Sequence, residues 1–94
     1  MSTFDPDPSP STACFSVTAQ AEPGVLPRIV ALFAKRGLTP THLQAEWRDG
    51  GVLGVELRMA GMEADLAVYI GRCLRAIVTV RDVRVSERRQ AHVA

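Results

Sequence analysis

The sequence predicts an α+β fold: a ferredoxin-like βαββαβ sandwich, with two helices on one face of a four-stranded antiparallel sheet. Three observations predict it. Two stretches, one opening at Leu26 and one at Leu66, repeat apolar residues at helical spacing. Two alternating runs flank the turn signal Asp49-Gly50-Gly51. Further alternating runs open and close the folded part. The 94 residues suffice for one small domain. With 47% hydrophobic residues but only 5% aromatic ones, the core has to be built from aliphatic side chains.

Residues 1–13 read as a disordered N-terminal tail, because Pro6, Pro8 and Pro10 alternate with Asp5, Asp7, Ser9 and Ser11 and can neither pack nor ladder. The folded domain is expected over residues 14–86. Its first strand spans Cys14 to Ala19, with Phe15, Val17 and Ala19 on one face and Cys14, Ser16 and Thr18 on the other. A Pro-Gly turn leads into the first helix, whose Leu26, Ile29, Val30, Phe33 and Ala34 share a face. Pro23 and Pro27 sit at its start, where a missing N–H costs least. Lys35 and Arg36 are expected in its last turn, and Gly37 follows as a left-handed cap.

The second strand alternates Leu43, Ala45 and Trp47 with His42, Gln44 and Glu46. Pro40 places its start after that residue or at a sheet edge. Across the glycine turn, the third strand turns Leu53, Val55, Leu57 and Met59 inward and Gly54, Glu56 and Arg58 outward. The second helix runs from about Glu63 to Ala76, with Leu66, Ile70, Cys73, Leu74 and Ile77 on one face. Glu63 and Asp65 in its first turn and Arg72 and Arg75 in its last suit the helix dipole. The final strand holds Val83 and Val85 and starts near Val80; residues 87–94 read as a C-terminal tail.

Several functions are disfavoured. A formal net charge of +1 gives no general attraction to nucleic acid or to an anionic membrane. The open face offers no aromatic platform for stacking RNA bases. No apolar run approaches the roughly 20 residues a bilayer span requires. The N-terminus lacks the basic and apolar segments of a secretory signal, so a cytoplasmic location is expected. Cys14 and Cys73 form no CxxC pair and read as small thiols in a reducing compartment. His42 and His92 read as surface histidines, and Glu46 with Glu56 as solvated charges on the open face. No acid, base or nucleophile converges, so no catalytic residue, metal or cofactor is expected.

What remains is the turn before the first helix, where unpaired N–H groups can receive a carboxylate or phosphate. The run Val17 to Ile29, with Glu22-Pro23-Gly24-Val25-Leu26 at its centre, followed by Leu32-Phe33-Ala34-Lys35-Arg36-Gly37-Leu38, resembles the opening of an ACT domain. It resembles most the small regulatory subunit of acetolactate (acetohydroxyacid) synthase. The spacing of Leu74, Ile77, Val80, Val83 and Val85 is similar as well. The resemblance implies a non-catalytic regulatory module that pairs side by side into a homodimer through the strand His42 to Trp47. It further implies an amino-acid effector (valine, leucine or isoleucine) held by backbone groups around Ala21, Glu22, Gly24, Val25 and Leu26. The implied partner is the catalytic acetolactate synthase subunit, a thiamine-diphosphate-dependent enzyme. A free-standing ACT sensor for another enzyme and a ligand-free dimerisation module share the same residues. One departure matters: where the family commonly carries Asn, two positions before Pro-Gly, this chain has Ala21, so a side-chain contact to the effector is missing.

Overall fold

The computed structural model describes residues 11–89, so the expectations for residues 1–10 and 90–94, His92 among them, lie outside it. Six elements follow in the expected order: β1 (Ser11–Gln20), α1 (Val25–Ala34), β2 (His42–Arg48), β3 (Val52–Ala60), α2 (Ala64–Arg75) and β4 (Val80–Arg89). The four strands form one antiparallel sheet in the order β2-β3-β1-β4.

The register explains the alternation. Phe15 lies between Leu57 and Val85, and Val17 between Val55 and Val83, so the apolar residues of three strands share the helix-covered face. Ser16, with Glu56 and Arg84 beside it, belongs to the opposite, open face. Phe15, Val17, Ile29, Phe33, Leu57, Ile70 and Leu74 form the fully buried centre. The rings of Phe15 and Phe33 meet edge to face, 5.4 Å apart at 84°, a geometry that aromatic quadrupoles favour.

The first and last strands of the chain run further than their side-chain pattern indicates. β1 begins at Ser11, and β4 continues through Ser86 to Arg89, with Ala13 opposite Glu87. Polar residues at the end of β4 carry no alternation, but their backbone groups still need partners, and the β1–β4 ladder supplies them.

α1 buries Val25, Ile29 and Phe33, a stripe that starts one residue before the expected Leu26. Leu26 and Val30 are half-buried beside it, and Ala34 is exposed. Lys35 is the C-cap rather than a member of the last turn, and Arg36 follows it. Arg36 still serves the helix end, because its Nη1 donates to the Leu32 carbonyl at 3.1 Å. Gly37 takes φ of 69°, and the Leu38 N–H donates back to Phe33 O at 2.9 Å, closing the helix as a Schellman-type cap. Gly50 and Gly51 take φ of 83° and 70°, the left-handed conformations that the hairpin needs.

α2 is capped by Glu63 and Ala76, with Asp65 in its first turn and Arg72 and Arg75 in its last. Its contact with the sheet is made by Ala67, Ile70, Gly71 and Leu74. Gly71 is where the helix comes closest to β4: a Cβ there would stand 2.7 Å from Val85 Cγ2. Cys73 is only partly buried, and Cys14 is buried although it belongs to the open face; both thiols are free.

Candidate functional site

The corner where β1 turns into α1 is assembled from three loops. The Gln20 N–H donates to Thr79 O at 2.8 Å, and the Ala21 N–H donates to Gly51 O at 2.9 Å. The chain is thereby tied on one side to the segment before β4 and on the other to the β2–β3 hairpin. The Val25 N–H donates to Glu22 O at 3.1 Å, closing the turn itself. Of the five residues singled out in the sequence, Ala21 and Val25 therefore have their N–H groups engaged internally. Among the described residues no backbone carbonyl accepts from the N–H of Gly24 or of Leu26. These two amides belong to the positive end of a helix with no acidic residue in its first turn and no side-chain cap.

Glu22, Pro23 and Gly24 are exposed, Ala21 and Leu26 half-buried and Val25 buried. Glu22 forms no ion pair among the described residues. Gly24 is the N-cap at φ −85°, a right-handed conformation open to any residue, and nothing lies within 4 Å of the Cβ it lacks. The fold thus sets no requirement for glycine there. Its effect is to leave the approach to the helix end unobstructed. Gln20 continues the open-face alternation of Ser16 and Thr18 and is exposed, so it does not replace the side chain missing at Ala21.

Sequence reasoning missed Thr79, whose buried Oγ1 has no hydrogen-bond partner and whose carbonyl holds Gln20. Nothing in the residue pattern points to it, since it lies in a loop of irregular spacing.

Two further surfaces complete the picture. Among the described residues β2 is an edge strand bonded only to β3. Its residues on the helix side of the sheet are not covered by either helix: Leu43 is 45% and Trp47 73% exposed, with exposed Ala45 between them. The open face carries a polar trough of about 420 Å³, which includes Glu46, Arg48, Glu56, Asp82 and Arg84. Arg48 arches over Gly54, where a Cβ would meet its guanidinium carbon at 2.5 Å. The trough's lining combines the hydroxyls of Ser16 and Thr18 with these charged groups and, among the described residues, includes no histidine, cysteine or lysine. No helix among the described residues is long and apolar enough to cross a membrane.

Comparison with known proteins gives a consistent family. A family model described as an ACT-like domain matches residues 9–92. The chain is similar to the crystal structure of the ACT domain from GTP pyrophosphokinase of Chlorobium tepidum, with a TM-score of 0.70 at 16% identity, over 82% of this chain and 99% of that one. The solution NMR structure of the same domain gives a TM-score of 0.69 at 16% identity, covering 80% and 84%. At that identity the likeness extends to the fold alone. A search of curated proteins finds no match. With nearly all of its length matched by the family model, and with the strand order and two-helix layer just described, the chain belongs to the ACT-like domain family.

Proposed function

We propose that this chain is a regulatory, non-catalytic ACT subunit that dimerises side by side through β2, binds an amino acid at the corner before α1, and modulates a separate catalytic subunit. The catalytic partner in this reading is acetolactate synthase, and the effector a branched-chain amino acid. The observation that carries the reading is the Ala21 N–H to Gly51 O hydrogen bond. It joins the corner that would seat the effector to the hairpin of the edge strand that would seat the partner. A coupling free energy between the two places would run through this connection if the hairpin shifts with occupancy of the corner.

The Gly24 and Leu26 N–H groups would receive the effector's carboxylate. The nearby Glu22 carboxylate would face its ammonium. The assignment to acetolactate synthase rests on the Phe33-Ala34-Lys35-Arg36-Gly37 segment that follows the turn. A second reading, a dimerisation module without a ligand, is favoured by Ala21 and by the internal use of two of the five amides.

Thermal shift of the purified chain against the twenty amino acids separates the two readings. A branched-chain amino acid at 100 times its dissociation constant is expected to stabilise the fold by about 2.7 kcal/mol. The Gly24→Asp variant, which has room for its Cβ, is expected to stay folded and lose that response. A flat profile for the unmodified chain, alone and with the catalytic subunit present, would leave the ligand-free reading. Capture of acetolactate synthase catalytic subunit by the immobilised chain tests the partner, and its absence under reconstituting conditions overturns that assignment.

A further inference from the structure

The uncovered stripe on β2 contains enough information to set how two copies would join. We infer that β2 pairs antiparallel with β2 of a second copy with Ala45 on the two-fold axis, so that each Trp47 is seated against Leu43 of the partner subunit. The inference rests on the side-by-side dimer proposed above and adds its register.

A two-fold axis perpendicular to the sheet relates the strands of such a dimer, and residues directly opposite each other must then lie on the same face. The apolar stripe of one chain therefore meets the apolar stripe of the other, and the axis has to pass through a residue position of β2. With the axis at Ala45, all seven residues of His42–Arg48 are paired. Trp47 stands opposite the partner's Leu43, Ala45 opposite its own copy, and Glu46 opposite the partner's Gln44, a carboxylate facing an amide donor.

Every shift of register loses part of this. An axis at Gln44 puts Trp47 opposite the partner's Thr41 and leaves the largest exposed side chain without an apolar residue directly opposite it across the seam. An axis at Glu46 sets two carboxylates directly opposite one another, which is unfavourable, and places Leu43 opposite the partner's Asp49. An axis at Trp47 brings Glu46 opposite the partner's Arg48 but retains only three of the seven residues in the ladder, with Leu43 stranded. An axis at Leu43 likewise retains three.

The register also reaches the corner before α1. It places the partner's Thr41 opposite Asp49, in the same hairpin whose Gly51 carbonyl holds Ala21. The start of the partner's strand then braces the loop on which that corner hangs.

Cysteine cross-linking of the full chain reads the register directly, because a residue forms a disulfide with its own copy only on the axis. The Ala45→Cys variant, in a Cys73→Ser background with the remaining native Cys14 buried, is expected to pass from 10.2 kDa to twice that mass on mild oxidation. The Gln44→Cys and Glu46→Cys variants are expected to stay single when oxidised separately and to cross-link when mixed. A dimer in which Gln44→Cys, Glu46→Cys or Trp47→Cys cross-links with itself instead overturns the register and leaves the dimer standing. A chain that sediments as a monomer at every concentration tested overturns the dimer and the register together.

Discussion

The two edges of the sheet are built on opposite plans. β4 is covered on its inner face by α2: Val83 is buried, and Val85 packs against the gap left by Gly71. Its other face is charged, with Asp82 and Arg84 paired at 3.5 Å, and Arg81, Glu87 and Arg88 are exposed along the same strand. A charged, covered edge discourages further pairing. β2 carries the charged Glu46 and Arg48 on its open face but lacks the cover. Its inner face bears Leu43, Ala45 and Trp47, and among the described residues no helix lies above them and no strand pairs with its outer edge. Two helices of about 10 Å diameter packed against each other span the sheet only in part, and the exposed large apolar residues of the sheet, Leu43 and Trp47, both lie on β2. The difference teaches that one edge is closed to further pairing and the other is open to it.

The largest effect that could break this contrast is expected at Trp47. Trp47→Glu should weaken self-association at least about 100-fold, or about 3 kcal/mol, since both copies lose a large apolar contact. In the dilute single chain the side chain is 73% exposed, so the unfolding free energy there should move by less than about 0.5 kcal/mol. Sedimentation at several concentrations and a urea titration measure the two quantities. A dimer indifferent to the substitution would mean that the edges are not functionally different.

A smaller, opposite result is expected at the closed edge. Gly71→Val would force α2 away from Val85 and should cost about 2 kcal/mol in a urea titration, with the self-association of the folded fraction unchanged. Arg36→Ala sharpens the contrast at the helix layer. Arg36 donates to Tyr69 Oη at 3.1 Å and stacks 5.0 Å above the Tyr69 ring, joining the end of α1 to α2. The contact is exposed, and its loss should cost about 0.5–1 kcal/mol by the same measurement. The smallest effect belongs to Gly24→Ala, where a Cβ meets nothing within 4 Å: stability should change by less than about 0.5 kcal/mol. Any loss of amino-acid response in that variant would then report on the site and not on the fold.

Nearly all of the architecture was legible because each element has its own periodicity, and because Gly37, Gly50 and Gly51 mark positions where the backbone turns left-handed. What was not legible has a common cause. Alternation says that Leu43, Ala45 and Trp47 share a face with Leu53, Val55 and Leu57, but not how far the helices extend over that face. The same limit hid Ala67 and Gly71, small residues whose role is visible only against Val85. At the candidate site the turn itself could be read from Pro23 and Gly24. Which amides remain free could not, because the partners of Gln20 and Ala21 are contributed by Thr79 and Gly51, distant in sequence.

The position of β1 in the middle of the sheet has a kinetic consequence. The first strand to be synthesised has one neighbour near the middle of the chain and the other at its far end, with Ser11 opposite Arg89. Until β4 has been made, a nascent chain holds Phe15 and Val17 in a strand with one side unpaired and without the inner face of Val83. Contacts so distant along the chain close slowly, and such incomplete sheets are prone to misassembly. The central strand therefore gains its second neighbour only once β4 has been made, and the long-range β1–β4 pairing is the contact that completes the sheet.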